Sequence, residues 1–265
     1  MNKLKISKNT LLVGSGKGGV GKSTVAVNLA VALGRLGLNV GLLDADVYGP
    51  SIPIMMGLRQ LSPRLHPQED GRELIVPFSK FGIKVMSIGF FIEEARSVVW
   101  RGPMLHATLS KMITEVYWGD LDVMIIDLPP GTGDIPISLS QILHVDGALV
   151  VCTPQEVAML DAIKAINAFH QLEIPLVGVI ENMAGFTVPG TQDTYHIFGR
   201  GKAQELANRF ETELLGSVPL IPAIRRGGDE GYPAAYHQAD DNVGVYFRDL
   251  ATSVQQKSFS ITKKT

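Results

Sequence analysis

Eleven residues near the N-terminus carry the densest chemistry in the chain: Gly14-Ser15-Gly16-Lys17-Gly18-Gly19-Val20-Gly21-Lys22-Ser23-Thr24. Glycines let successive backbone N–H groups turn toward one anion. A short apolar run, Leu11-Leu12-Val13, precedes the stretch, and a helical pattern follows it. That helix would bring its positive end to the same point. The spacing Gly16-x-x-x-x-Gly21-Lys22-Ser23 fits a phosphate cradle. Lys22 is expected at the terminal phosphates, and Ser23 would offer its hydroxyl to Mg²⁺.

Acidic strand ends complete the chemistry. Asn39-Val40-Gly41-Leu42-Leu43 reads as a strand that ends in Asp44-Ala45-Asp46. Strand, loop, helix and strand make a right-handed crossover, and ligands sit beyond the carboxyl ends of such strands. Asp44 and Asp46, two residues apart on an extended chain, share a face on that edge. One could hold a magnesium-bound water and the other orient an attacking water; taken alone, they read as turn caps. A second apolar run, Val123-Met124-Ile125-Ile126, ends in Asp127, the expected carboxylate partner of the phosphate loop and its Mg²⁺. The turn after it, through Gly131-Thr132-Gly133-Asp134, could change shape when a phosphate leaves. Asn182 stands at another strand end, where a side-chain amide could pair with an adenine edge. Leu214–Pro219 reads as a last short strand; the segment after it, Leu220–Ile224, would complete a base pocket, with Pro219 a nucleotide-binding candidate. No Asn-Lys-x-Asp run is present, so ATP is preferred over GTP.

The elements that must position these groups alternate. Helical spacing marks Ala26 to Leu36, with Gly37 as the stop, then Met104 to Val116, Ile137 to Leu143 and Val157 to Phe169. Gly147–Cys152 and Pro175–Ile180 are apolar strands, and Cys152 is expected to pack as a small hydrophobe. This order specifies an α/β fold: a mostly parallel twisted sheet with helices on both faces. Residues 51–102 are harder to read. Pro53, Met55, Met56 and Leu58 suggest a loop with a short helix, 62–71 is polar and turn-rich, and 74–76 and 83–86 look like strands. Phe90-Phe91-Ile92 before Glu93-Glu94 is read as a core edge rather than a partner surface. Val243, Tyr246, Phe247, Leu250 and Val254 form one face of a last helix. Arg248 is its only basic residue before Lys257, so docking onto the domain is favoured over a membrane surface.

The 265 residues, 45% hydrophobic with a formal charge of -2, suit one α/β domain over 1–256, with a disordered tail at 257–265. That charge implies no general attraction to nucleic acid. One cysteine excludes an internal disulfide framework, and no apolar run is long enough to span a membrane, so a cytoplasmic protein is expected. The six histidines show no metal-ligand spacing.

Lys17, just after the first glycine of the cradle, makes Lys-Gly-Gly-x-Gly-Lys-Ser-Thr. This resembles the deviant Walker A P-loop of the MinD/ParA and nitrogenase iron-protein group. There the early lysine crosses a dimer interface to the partner's nucleotide. Leu43-Asp44-Ala45-Asp46-Val47-Tyr48-Gly49-Pro50-Ser51, Ile126 to Asp134, Thr153-Pro154-Gln155, Glu181-Asn182-Met183 and Gly228 to Pro233 look like the Mrp/ApbC family. The resemblance covers about 8–255. It implies a homodimeric ATPase that scaffolds or carries an iron–sulfur cluster for client proteins. It places Lys17, Lys22, Ser23 and Thr24 on phosphates, Asp46 as the water-activating aspartate, Asp44 and Asp127 near Mg²⁺, and Asn182 at adenine. One departure stands out. Where the family carries Cys-x-x-Cys for a bridging cluster, this chain has Val188 and Thr191. Neither offers a thiolate, and Cys152 cannot replace the pair by itself. The ATP and Mg²⁺ parts are complete; the cluster is not provided for. The expected activity is therefore an Mg²⁺-dependent ATPase switch, with Asp46, Lys17 and Lys22 as its catalytic groups. Its output is either iron–sulfur assembly or a MinD/ParA-like positioning role.

Overall fold

β1 (Asn9–Gly14) is buried along its whole length, which a strand reaches only when both its faces are covered. It leads through the glycine loop into α1 (Lys22–Arg35) and on to β2 (Val40–Asp44), the crossover unit expected above. Gly37, at φ 89°, turns the chain between them. The structure is a computed structural model and describes residues 3–68, 71–91, 102–237 and 242–261.

Between β2 and the next buried strand lies the segment that sequence patterning resolves least. It holds the one-turn helix α2 (Ile52–Met55), β3 (Arg64–Pro67), β4 (Glu73–Val76), β5 (Phe78–Lys80) and β6 (Ile83–Ser87). The turn-rich stretch 62–71 therefore contains a strand, which pairs antiparallel with β4. β3 is exposed at every residue, so no alternation of burial marks it. Phe90 is buried, as a core edge requires, whereas Phe91 is 52% exposed. Ile92, Glu93 and Glu94 lie outside the described residues.

Strands and helices then alternate: α3 (Gly102–Thr114), β7 (Val123–Asp127), α4 (Asp134–Ile142), β8 (Gly147–Cys152), α5 (Glu156–Gln171) and β9 (Leu176–Asn182). A small hairpin of β10 (Phe186–Thr187) and β11 (Thr194–Tyr195) precedes α6 (Lys202–Arg209), β12 (Leu214–Val218), α7 (Pro222–Glu230), α8 (Ala234–His237) and α9 (Gly244–Ile261). The main sheet runs β12-β9-β8-β1-β7-β2-β6-β5, and every pairing in it but β5–β6 is parallel. β7 and β8, like β1, are buried throughout, so their near-continuous apolar runs follow from helices on both sides.

The chain leaves β1 toward β2 and leaves the adjacent β8 toward β9, in opposite directions across the sheet. Such a divergence opens a crevice at the carboxyl edge. α9 docks on α1 and β12 through Phe247, Leu250 and Val254, all buried. It also continues to Ile261, past the start at 257 expected for a disordered tail: Ser258 is buried and Phe259 packs on the core. Residues 262–265 lie outside the described ones.

Candidate functional site

The glycine loop is held from behind and open in front. A Cβ on Gly16 would lie 2.0 Å from the backbone of Asp161 in α5, so only glycine lets the loop press against that helix. Gly21, the N-cap of α1, adopts φ 79°, and a Cβ there would meet the Asn182 amide at 2.1 Å. In front, the loop lines a cavity of about 190 Å³, shared with Asp46, Ser51, Met55 and Pro130.

Register brings the charged groups together. β7 lies between β1 and β2, with Val13 and Asp44 both opposite Asp127. Lys22, at the start of α1, is buried and donates to Asp127 Oδ1 at 2.8 Å. Ser23 Oγ donates to Asp127 Oδ2 at 2.5 Å and lies 3.2 Å from Lys22 Nζ. Asp46 Oδ2 is 3.8 Å from Lys22 Nζ. Its other oxygen accepts from the backbone N–H groups of Tyr48 and Gly49, each at 3.2 Å, which hold the carboxylate toward the cavity.

Asp44 is bonded through both carboxyl oxygens. Its Oδ1 accepts from Asp46 N at 3.1 Å; its Oδ2 accepts from Ser87 Oγ at 2.9 Å and Ile52 N at 3.3 Å. It is fully buried and ties β6 and the start of α2 to the turn that carries Asp46. Ser87 is the residue that sequence reading missed. Its signal was available: a polar side chain ending an apolar strand on the ligand edge.

Burial and the neighbouring charge of Asp127 raise the Asp44 carboxyl to about 8. Burial likewise raises Asp127, against the pull of Lys22 and Ser23. Two buried carboxylates, Asp127 at 2.8 Å and Asp46 at 3.8 Å, thus face one buried lysine. That excess of negative charge suits a divalent cation, and the oxygen donors of Asp127 and Ser23 suit Mg²⁺. The cavity in front, walled by backbone N–H groups and a lysine, suits a polyphosphate.

The turn after β7 is coupled to this loop, Gly131 N donating to Ser15 O at 2.9 Å. Lys17, half-buried, donates to Gln155 Oε1 at 3.3 Å. Asn182 and Pro219 are brought to one corner by β9–β12 pairing, where Val218 is opposite Asn182. The Asn182 amide donates to Val20 O at 2.8 Å, behind the loop, and neither residue lines the phosphate cavity.

Val188 and Thr191 sit in the turn of the β10–β11 hairpin. Thr191 N and Thr191 Oγ1 both donate to Val188 O at 3.1 Å, and Asp193 N donates to Thr191 Oγ1 at 3.1 Å. Cys152 is buried, its thiol pushed up to about 12 by burial and then by the charge of Glu181, as expected of a packing residue. Among the described residues, no group of three His, Cys, Asp or Glu side chains is placed to hold a metal. No described helix is long and apolar enough to cross a membrane.

A parallel sheet with a lysine-bearing glycine loop at its carboxyl edge and an acidic end on the adjoining strand defines a P-loop NTPase. Residues 6–255 match the family described as ParA: NUBPL iron-transfer P-loop NTPase, and the chain belongs to that family. It is 47% identical over 250 residues to the iron-sulfur cluster carrier protein of Aquifex aeolicus, covering 94% of this chain and 68% of that protein. It is 45% identical to the Arabidopsis thaliana iron-sulfur protein required for NADH dehydrogenase, mitochondrial, covering 93% and 78%. Among solved structures it resembles a nucleotide-binding protein from Archaeoglobus fulgidus in complex with ADP. There the TM-score is 0.73 and the identity 37%, over 84% of this chain and 86% of that one. It shares the fold of Pyrococcus horikoshii MinD complexed with Mg-ADP, with TM-score 0.70 and 22% identity over 97% and 99%.

Proposed function

We propose that this chain is a cytoplasmic, Mg²⁺-dependent ATPase that works as a nucleotide-switched homodimer in iron–sulfur cluster assembly or transfer. The observation that supports this most is the convergence of Lys22, Ser23, Asp127 and Asp46 beneath an open glycine loop. Lys22 is placed to reach the terminal phosphates; Asp127 and Ser23, with Asp44 nearby, would hold Mg²⁺, which would supply positive charge against the phosphate oxygens. Asp44 keeps the Asp46 turn in place, and Asp46 orients the attacking water. Lys22 and Lys17, the latter from the second copy, stabilise the transferred and leaving oxygens. Gly16 through Thr24 wrap the phosphates, and Asn182 and Pro219 flank the adenine. The hydrogen bond from Gly131 to Ser15 would carry the loss of phosphate to the 131–134 turn.

The output follows the relatives, two of which are described as iron-sulfur proteins, one of them a cluster carrier. With Val188 and Thr191 in the hairpin, the thiolate ligands would come from a partner protein. Changing Asp46→Asn tests the chemistry: ATP binding is retained and turnover is lost. Turnover at the wild-type rate would refute the assignment. Anaerobic reconstitution with iron and sulfide, with and without a thiolate-bearing client, tests the output; cluster held only with the client is expected.

One observation favours a second reading. Val188 and Thr191 stand at the two hairpin positions where the family carries cysteines, which suits a MinD/ParA-like switch that carries no cluster. ATP-dependent recruitment to lipid or DNA, with no transfer to any client, would select it.

A further inference from the structure

Thr153-Pro154-Gln155 joins β8 to α5, the helix against which the glycine loop rests. Gln155 is the N-cap of α5, a position that favours short oxygen-bearing side chains able to bond the first free N–H groups. Its side chain makes no such bond. It reaches back instead, and its amide oxygen accepts from Lys17 Nζ at 3.3 Å.

The surroundings make that contact repeatable. Gly16 has no room to move from α5, because its own α-carbon face abuts the Asp161 backbone. Ser15 Oγ donates to Lys17 O at 3.0 Å, which sets the lysine's backbone. Lys17 is therefore delivered beside the first turn of α5, where the helix end repels a cation. The Gln155 oxygen offsets that repulsion.

We propose that Gln155 is a positioning residue for Lys17: it parks the lysine on its own chain, and Lys17 reaches a second copy's triphosphate only by giving up this hydrogen bond. The proposal rests on the reading of Lys17 given above. It makes Gln155 a threshold for ATP-driven pairing of two copies. Each of the two copies gives up one half-exposed hydrogen bond at about two- to fivefold, so removing it shifts pairing by roughly five- to thirtyfold.

Two variants move the threshold in opposite directions. Gln155→Ala frees Lys17 and lowers the protein concentration at half-maximal dimerisation in ATP and Mg²⁺. Gln155→Glu pairs with the lysine more tightly and raises that concentration, most strongly at low salt. In a Lys17→Ala background neither substitution has any effect. Sedimentation and turnover measured against protein concentration read both. If Lys17→Ala alone leaves dimerisation unchanged, the role of Lys17 fails and this proposal with it. If Lys17→Ala weakens dimerisation while the two Gln155 variants shift it in the same direction or not at all, the parking contact is refuted and Lys17 keeps its role. Opposite shifts that vanish without Lys17 establish it.

Discussion

At the carboxyl edge of β1, β7 and β2, the buried charges hold one another in place. Lys22 is bonded to Asp127, Ser23 to the same carboxylate, and Asp44 to the backbone that aims Asp46. The β10–β11 hairpin, at the same edge beyond β9, is built differently. Its turn is closed by the backbone of Val188 and Thr191 and by one threonine hydroxyl, all exposed to solvent or half so. The first region cannot lose Lys22 without leaving the buried Asp127 charge unpaired. The second keeps its shape without the thiolates that would give a cluster its ligands. Where geometry depends on charge balance, chemistry and fold are tied together; where backbone hydrogen bonds suffice, the reactive groups can be absent and the fold persists.

The largest effect should come from breaking the charge balance. Lys22→Ala leaves Asp127 buried without its cation and should cost about 3–5 kcal/mol in denaturant unfolding. Nucleotide binding should vanish with it, as calorimetry would show. A fully stable Lys22→Ala chain would mean the two regions do not differ as described. Asp46→Asn spares the pairing and should lower turnover by about 10²- to 10⁴-fold while ATP affinity stays near wild type.

A gain of function probes the other side. Val188→Cys with Thr191→Cys puts two thiols into a turn that already folds back on itself. The double variant should take up iron and sulfide anaerobically with charge-transfer absorbance, while the wild-type chain alone does not. Equal uptake by both would locate cluster binding away from the hairpin.

The pH dependence of stability separates the regions as well. Asp44 ionises near pH 8 when folded and near 4 when unfolded, so the folded chain binds its proton more tightly. Its contribution to stability is full below about pH 4 and is lost as pH rises toward 8. Asp44→Asn should flatten the fall in stability between pH 5 and 8, by at most about 1.4 kcal/mol per pH unit. Urea midpoints across that range would show it, and an unchanged slope would count against a buried Asp44 that holds its proton in the folded chain. The smallest effect belongs to the hairpin. Thr191→Ala removes exposed hydrogen bonds and should cost less than about 1 kcal/mol, with turnover intact.

Much of this was legible in the residues alone. The cradle Gly16 to Thr24, the acidic ends at Asp46 and Asp127, and the alternation that makes a parallel sheet are local patterns: glycine backbone freedom, apolar runs between turns, helical spacing. The lack of thiolates at positions 188 and 191 needed no coordinates either. What only the folded chain decided depends on residues far apart in sequence. Ser87 holding Asp44, Gln155 holding Lys17 and Asn182 wedged behind Gly21 arise from strand order and register. So does the exposed strand β3, which no burial pattern announces. Local patterns fix which groups a segment can offer. Which of them meet is set by how the strands are ordered side by side, because that order is chosen by burial of the whole sheet and not by any one stretch of it.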